Sequence, residues 1–194
     1  MNNMEAILQE LHLETRLGSD DIPNIDLYMD QVIQLFENKF AETKRLPEEK
    51  ILTKTMINNY SKGKLFFPIK NKKYSKEHIM LINMIYEMKT VLSISDINHT
   101  LTKLNKEITT NEFELEPLYK TTQELSENYV ERFTQDSMQL NKEVKVKAEK
   151  LKGEDAEYYE KLLLILSLVN RSNYYRRAAE KIVDQLESTE TKKD

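Results

Sequence analysis

Leu52-Thr53-Lys54-Thr55-Met56-Ile57-Asn58-Asn59-Tyr60-Ser61-Lys62-Gly63-Lys64-Leu65 runs directly into Phe66-Phe67-Pro68-Ile69-Lys70-Asn71-Lys72-Lys73-Tyr74-Ser75. On a helix of about 3.6 residues per turn, Lys54, Thr55, Asn58, Asn59 and Lys62 form one polar stripe, and Met56 and Tyr60 form the opposite, core-facing one. Thr53 can act as N-cap, and Gly63 marks the helix end at a C′ position. Phe66 and Phe67 then supply an apolar anchor for a short, basic, extended loop holding Lys70, Asn71, Lys72 and Lys73. Tyr74 is expected to pack that loop onto its domain.

The polar stripe suits a nucleic-acid duplex. Asparagine pairs a donor and an acceptor with an adenine edge in the major groove, and lysine reaches guanine edges or phosphates. An extended basic loop lies along phosphates. The expected DNA contacts are Lys54, Thr55, Asn58, Asn59, Lys62, Lys64, Lys70, Asn71, Lys72 and Lys73.

Charge supports the same face. Residues 44–76 hold ten bases against two acids, a local charge of +8, so a chain whose formal total is −4 carries −12 elsewhere. An acidic protein with one basic strip has the electrostatic footprint of a surface that docks a polyanion and repels it everywhere else.

The rest of the composition bounds the class. With no cysteine in 194 residues, disulfides, thiolate metal clusters and a cysteine nucleophile are excluded, and a reducing, cytoplasmic setting is expected. The longest apolar run, residues 162–169, is broken by Ser167 and falls far short of the roughly 20 residues that span a bilayer. Residues 1–10 carry acids and no basic segment, so no signal peptide is expected. Only three glycines and four prolines punctuate the chain, and no long period-two alternation occurs, which predicts an all-α protein.

Helical spacing predicts a first helix within residues 1–17, stopped by Gly18, and a second to about Ala41, capped by Asn24 or Asp26. Ser75 should start another helix, with Glu77 in its first turn, and Ser93 with Asp96 forms a capping box for the next. Beyond Pro117 come two long patterns, the first stopping near Gly153, that read as an antiparallel hairpin. The run Leu162-Leu163-Leu164-Ile165-Leu166 is apolar on every side and needs cover from the chain or from a second copy. The expected organisation is a helix-turn-helix DNA-binding domain with its N-terminal helix over residues 1–110, a helical hairpin for dimerisation or for effector or partner binding over 111–187, and a disordered tail over 188–194.

These elements resemble the MerR-like winged helix-turn-helix. The matching features are the helix over residues 55–63, then Leu65, Pro68, the wing end Lys72-Lys73-Tyr74-Ser75, the long helix to Leu92 and the Ser-opened helix over residues 93–104. Where that family carries paired aromatics in its recognition helix, this chain has Asn58 and Asn59. More closely, residues 22–104 look like the bacterial domain-of-unknown-function family numbered 1836, through Leu27-Tyr28-Met29-Asp30-Gln31-Val32, Leu52 to Tyr60 as quoted, and Lys73-Tyr74-Ser75-Lys76-Glu77-His78. The resemblance implies a helix-turn-helix DNA-binding domain with a long first helix and brings no ligand with it.

No glycine-rich phosphate loop or serine-histidine-aspartate arrangement can be drawn from this sequence, so no enzyme and no cofactor are expected. Asp96 and His99 share a helix face, but one Asp-x-x-His does not make a metal site. The expectation is a sequence-specific transcriptional regulator that binds double-stranded DNA as a homodimer through its C-terminal helices, without membrane contact and with any small-molecule effector unassigned. The alternative is a protein-interaction adaptor on a helix-turn-helix scaffold that does not bind DNA.

Overall fold

The computed structural model describes residues 4–151 and 155–190. Among them the chain is all-α apart from one two-stranded pair, in the order α1 (Met4–Glu10), β1 (Leu27–Tyr28), α2 (Met29–Lys39), α3 (Lys54–Lys62), β2 (Lys73–Tyr74), α4 (Lys76–Met88), α5 (Ile94–Thr109), α6 (Leu115–Ala148) and α7 (Ala156–Glu190). No helix among the described residues is long and apolar enough to cross a membrane.

Local chemistry moves some helix ends from where the spacing puts them. α1 stops at Glu10, well before Gly18, because the Leu11 and His12 amides turn back onto the Leu8 and Gln9 carbonyls and His12 takes a left-handed φ of 48°. Gly18 instead precedes the 3-10 turn Ser19–Asp21, and its amide donates to Asp21 Oδ2 at 2.8 Å. Asn24 and Asp26 are exposed and cap nothing at α2, which starts after β1 with the Tyr28 amide donating to Gln31 Oε1 at 2.9 Å. The Ser93 and Asp96 capping box forms as expected: the Asp96 amide reaches Ser93 Oγ at 3.1 Å and the Ser93 amide reaches Asp96 Oδ2 at 3.1 Å.

Two compact units result. In the first, Thr15–Glu124 with Ala179–Asp194, α4 lies at the centre, apolar almost all round, with Ile79, Leu81, Ile82 and Ile85 fully buried. Phe36 of α2 and Phe40 at its C-cap meet Tyr86 of α4 at ring-centroid distances of 6.2 and 5.6 Å. The start of α6 belongs to this core. Leu115 and Tyr119 are buried in it, and Tyr119 Oη and Gln123 Nε2 both donate to the Leu17 carbonyl at 2.6 Å. The expected domain boundary lay between residues 110 and 111; the division falls inside α6 because its first turns are tied to this core.

The second unit comprises Met1–Glu14 and Leu125–Ala178. It holds most of the α6–α7 hairpin, whose helices of 34 and 35 residues each reach roughly 50 Å at about 1.5 Å per residue. Met4 and Leu8 of α1 close over Leu140, Val144 and Leu164, so the N-terminal helix belongs with the hairpin. One α6 row, Leu125, Tyr129, Phe133, Ser137, Leu140, Val144 and Ala148, is buried from Ser137 onward and exposed before it. Within the all-apolar run of α7, only Leu164 is buried, and Ile165 and Leu166 face outward. α7 continues through Glu190, past the expected start of the tail; residues 191–194, like Gly153, lie outside the described residues.

Candidate nucleic-acid interface

α3 begins at its expected cap, the Met56 amide donating to Thr53 Oγ1 at 3.2 Å. Its inward pair is Ile57 and Tyr60, both buried, whereas Met56, expected on that face, is half-buried with its sulfur 3.7 Å from Lys89 Nζ. Burial pushes the Tyr60 hydroxyl up to about 12. Lys54, Thr55, Asn58, Asn59 and Lys62 are all exposed.

The end of α3 is built differently from the sequence expectation. Gly63 is still helical, with φ −73° and ψ −1°, and the left-handed C′ residue is Lys64, with φ 54°. The Leu65 amide reaches the Tyr60 carbonyl at 3.0 Å and the Lys64 amide reaches Ser61 at 3.0 Å, the two bonds of a Schellman motif. Space at position 63 is tight: a Cβ there would stand 3.2 Å from Ile94 Cγ2 and 3.2 Å from the Asn59 carbonyl oxygen. From α5, Asn98 Nδ2 donates to the Gly63 carbonyl at 2.7 Å and Asn105 Nδ2 to the Leu65 carbonyl at 3.0 Å. These two clamps went unrecognised in the sequence, although a seven-residue spacing of asparagines on one helix face is a readable signal.

The wing is a tight hairpin. Lys70 and Lys73 pair across it, the Lys73 amide donates to the Lys70 carbonyl at 2.9 Å, and the central residues Asn71 and Lys72 take φ of 52° and 59°. Positive φ at both centres defines a type I′ turn, which matches the twist of the flanking strands and ordinarily carries Asn-Gly. Lys64, Lys70, Asn71 and Lys72 are exposed, and Lys73 is half-buried with its ammonium 5.2 Å from the centre of the Tyr28 ring. β2 pairs antiparallel with β1, Tyr28 opposite Lys73 and Leu27 opposite Tyr74. Tyr74 is buried edge-on against Phe66, so it packs the wing down as expected.

The junction of β1 and α2 ties the two basic pieces together. Tyr28 receives Lys73 of the wing, and two residues on, Asp30 pairs with Lys54 of α3 at 2.7 Å. Both partners of that ion pair are largely exposed, so it is worth at most about 1 kcal/mol and gives way readily to a stronger anion.

Beneath the wing lies His78, the last residue of the Lys73–His78 segment, in a role that its sequence position does not announce. It is buried, with Nδ1 accepting the Ser75 amide at 3.2 Å and Nε2 donating to the Phe67 carbonyl at 3.2 Å. His78 thereby caps α4 and holds the wing base, with the Phe67 ring 3.9 Å away centre to centre. Burial holds its pKa below the ordinary histidine value.

Residues 17–122, more than half of the chain, match the family model described as Domain of unknown function (DUF1836), and the chain belongs to that family. No curated protein and no solved structure matches it.

Proposed function

We propose that this family member is a sequence-specific DNA-binding transcriptional regulator, a cytoplasmic binding protein rather than an enzyme, that acts as a homodimer. In this reading α3 enters the major groove with Asn58 and Asn59 nearest the base edges. Lys64, Lys70, Lys72 and Lys73 lie against flanking phosphates, in the manner of a MerR-like winged helix-turn-helix.

One observation carries the proposal. Lys64 and Lys72 occupy left-handed positions at the end of α3 and at the wing tip. An L-residue there costs roughly 1–2 kcal/mol that glycine avoids. Local stability favours glycine at both places, and the chain keeps a cation at both. A polyanion that needs charge on either side of the exposed Asn58 and Asn59 accounts for that choice.

A single short helix reads few bases, and two-fold pairing on a palindrome multiplies the discrimination. The outward row Leu125, Tyr129 and Phe133 on α6 supports the hairpin as the pairing element. The same row favours the second reading, an adaptor that binds a protein partner and no DNA. Salt separates the two. If about three lysines per protomer meet phosphate, a dimer on a selected duplex loses affinity with a log–log slope of about −5 as salt rises. Absence of any gel retention of genomic fragments at low salt rules the regulator out.

A further inference from the structure

α7 has two apolar faces. Leu163, Leu164 and Leu168 turn toward the cluster that Leu140 and Val144 of α6 form with Met4 and Leu8 of α1. At about 100° per residue, Tyr158, Leu162, Ile165 and Val169 fall on the far side, at steps of four, three and four residues. That is the spacing of a coiled-coil seam. Leu162 is half-buried, and Tyr158, Ile165, Val169 and the adjoining Leu166 are each more than half exposed. Residues 169–178 are exposed at every position, nearly three turns of helix without cover on any side.

Charge is graded along the same helix. Residues 155–161 hold Asp155, Glu157 and Glu160 against Lys161, residues 162–170 hold no charge, and residues 171–178 hold Arg171, Arg176 and Arg177 with no acid. The face is thus acidic, then apolar, then basic. A second copy of it, run antiparallel, matches it end to end, each acidic end meeting a basic one. A parallel copy would set like charges together at both ends.

We propose that two chains pair through this face, α7 against α7 and antiparallel, about a two-fold axis at the level of Ile165 and Leu166. In that register Leu162 lies level with the partner's Val169, and Asp155, just before the helix start, with the partner's Arg176. Glu180 and Lys181 lie past the start of the partner's helix and take no part. The inference rests on the homodimer of the reading above, not on its DNA, and gives the seam to α7 in place of the α6 row.

Sedimentation equilibrium of the full chain tests it with two charge-reversed double variants at exposed positions. Asp155→Lys with Glu157→Lys makes both ends of the face basic, and Arg176→Glu with Arg177→Glu makes both acidic. The unmodified chain should dimerise with a Kd below about 100 μM. Each double variant alone should pair at least about tenfold more weakly, and their equimolar mixture should recover the original affinity as a mixed dimer. Helix content by circular dichroism should stay unchanged in both. Ile165→Glu should weaken pairing by a similar factor, and Tyr129→Ala on the α6 row should leave it alone. Double variants that pair like the unmodified chain overturn the inference, as does a mixture that fails to recover. Loss of the dimer in Tyr129→Ala alone also overturns it, leaving the homodimer in place with its seam on α6. A chain still monomeric at about 300 μM removes both the inference and the homodimer, and retention of DNA in a gel is read separately from all of these.

Discussion

In Thr15–Glu124 the large apolar side chains of α4 have disappeared from solvent, with Ile79, Leu81, Ile82 and Ile85 at 0% exposure, whereas in Leu125–Ala178 Tyr129, Ile165, Val169 and Tyr174 are all more than half exposed. Both regions are helical and both carry regular apolar rows. A row becomes a core where short helices and connections supply cover from several directions, as around α4. A hairpin covers each of its helices mainly from one side, so part of its apolar surface stays exposed.

The largest effect expected from this contrast is on stability. Ile82→Ala should cost about 2–5 kcal/mol in urea unfolding. Ile165→Ala should stay within about 0.5 kcal/mol in dilute solution, with any larger loss growing with protein concentration. Equal, concentration-independent losses at the two sites would mean that the hairpin is as self-sufficient as the α4 core.

Next in size are effects at the exposed face of α3 and the wing. Asn58→Ala should cost about 1–3 kcal/mol on the best duplex and relax preference at one base position, while Lys72→Ala weakens all sequences alike and lowers the salt slope by about one. Competition binding against random duplex reads both, and identical behaviour of the two variants on specific and random DNA contradicts the division of roles.

A smaller effect separates function from folding at the same positions. Lys64→Gly and Lys72→Gly should each raise unfolding stability by about 1 kcal/mol, since they remove the left-handed penalty, while weakening duplex binding. Lost stability in both variants would show that the lysine side chains serve the fold, and the argument from misplaced cations would fail.

The smallest concerns pH. Burial is the main cause that holds His78 below the ordinary value of 6.5, so on acidification the unfolded chain takes up this proton before the folded chain does. Stability should therefore fall as pH drops below about 6.5 and level off once folded His78 protonates as well. His78→Gln retains a side chain able to accept the Ser75 amide and should flatten the urea midpoint between about pH 7 and pH 5.5. An unchanged slope assigns the pH dependence elsewhere.

Much of this molecule was readable from short-range pattern. Thr53, Ser75 and Ser93 fall at the helix starts expected of them, because a cap is a contact between residues two or three apart. The two long helices and the outward polar stripe of α3 likewise follow from apolar spacing and from the scarcity of glycine and proline. The role of His78 was not legible because it joins a helix cap to a carbonyl eleven residues back. The left-handed conformation of Lys64 was not legible because glycine at position 63 looked like the left-handed residue, whereas Gly63 stays helical and packs closely under Ile94.

Residue order thus specified which segments wind into helices, where most of them begin, and that a strongly basic strip interrupts an acidic chain. Periodicity and capping act within a few residues, so they are written locally. Which half of the α6 row is covered, how Tyr28 and Asp30 bring the wing and α3 to the junction of β1 and α2, and the cavity at the wing base arose from contacts between segments far apart in the chain. Those contacts depend on the simultaneous packing of several elements, and no local pattern encodes that.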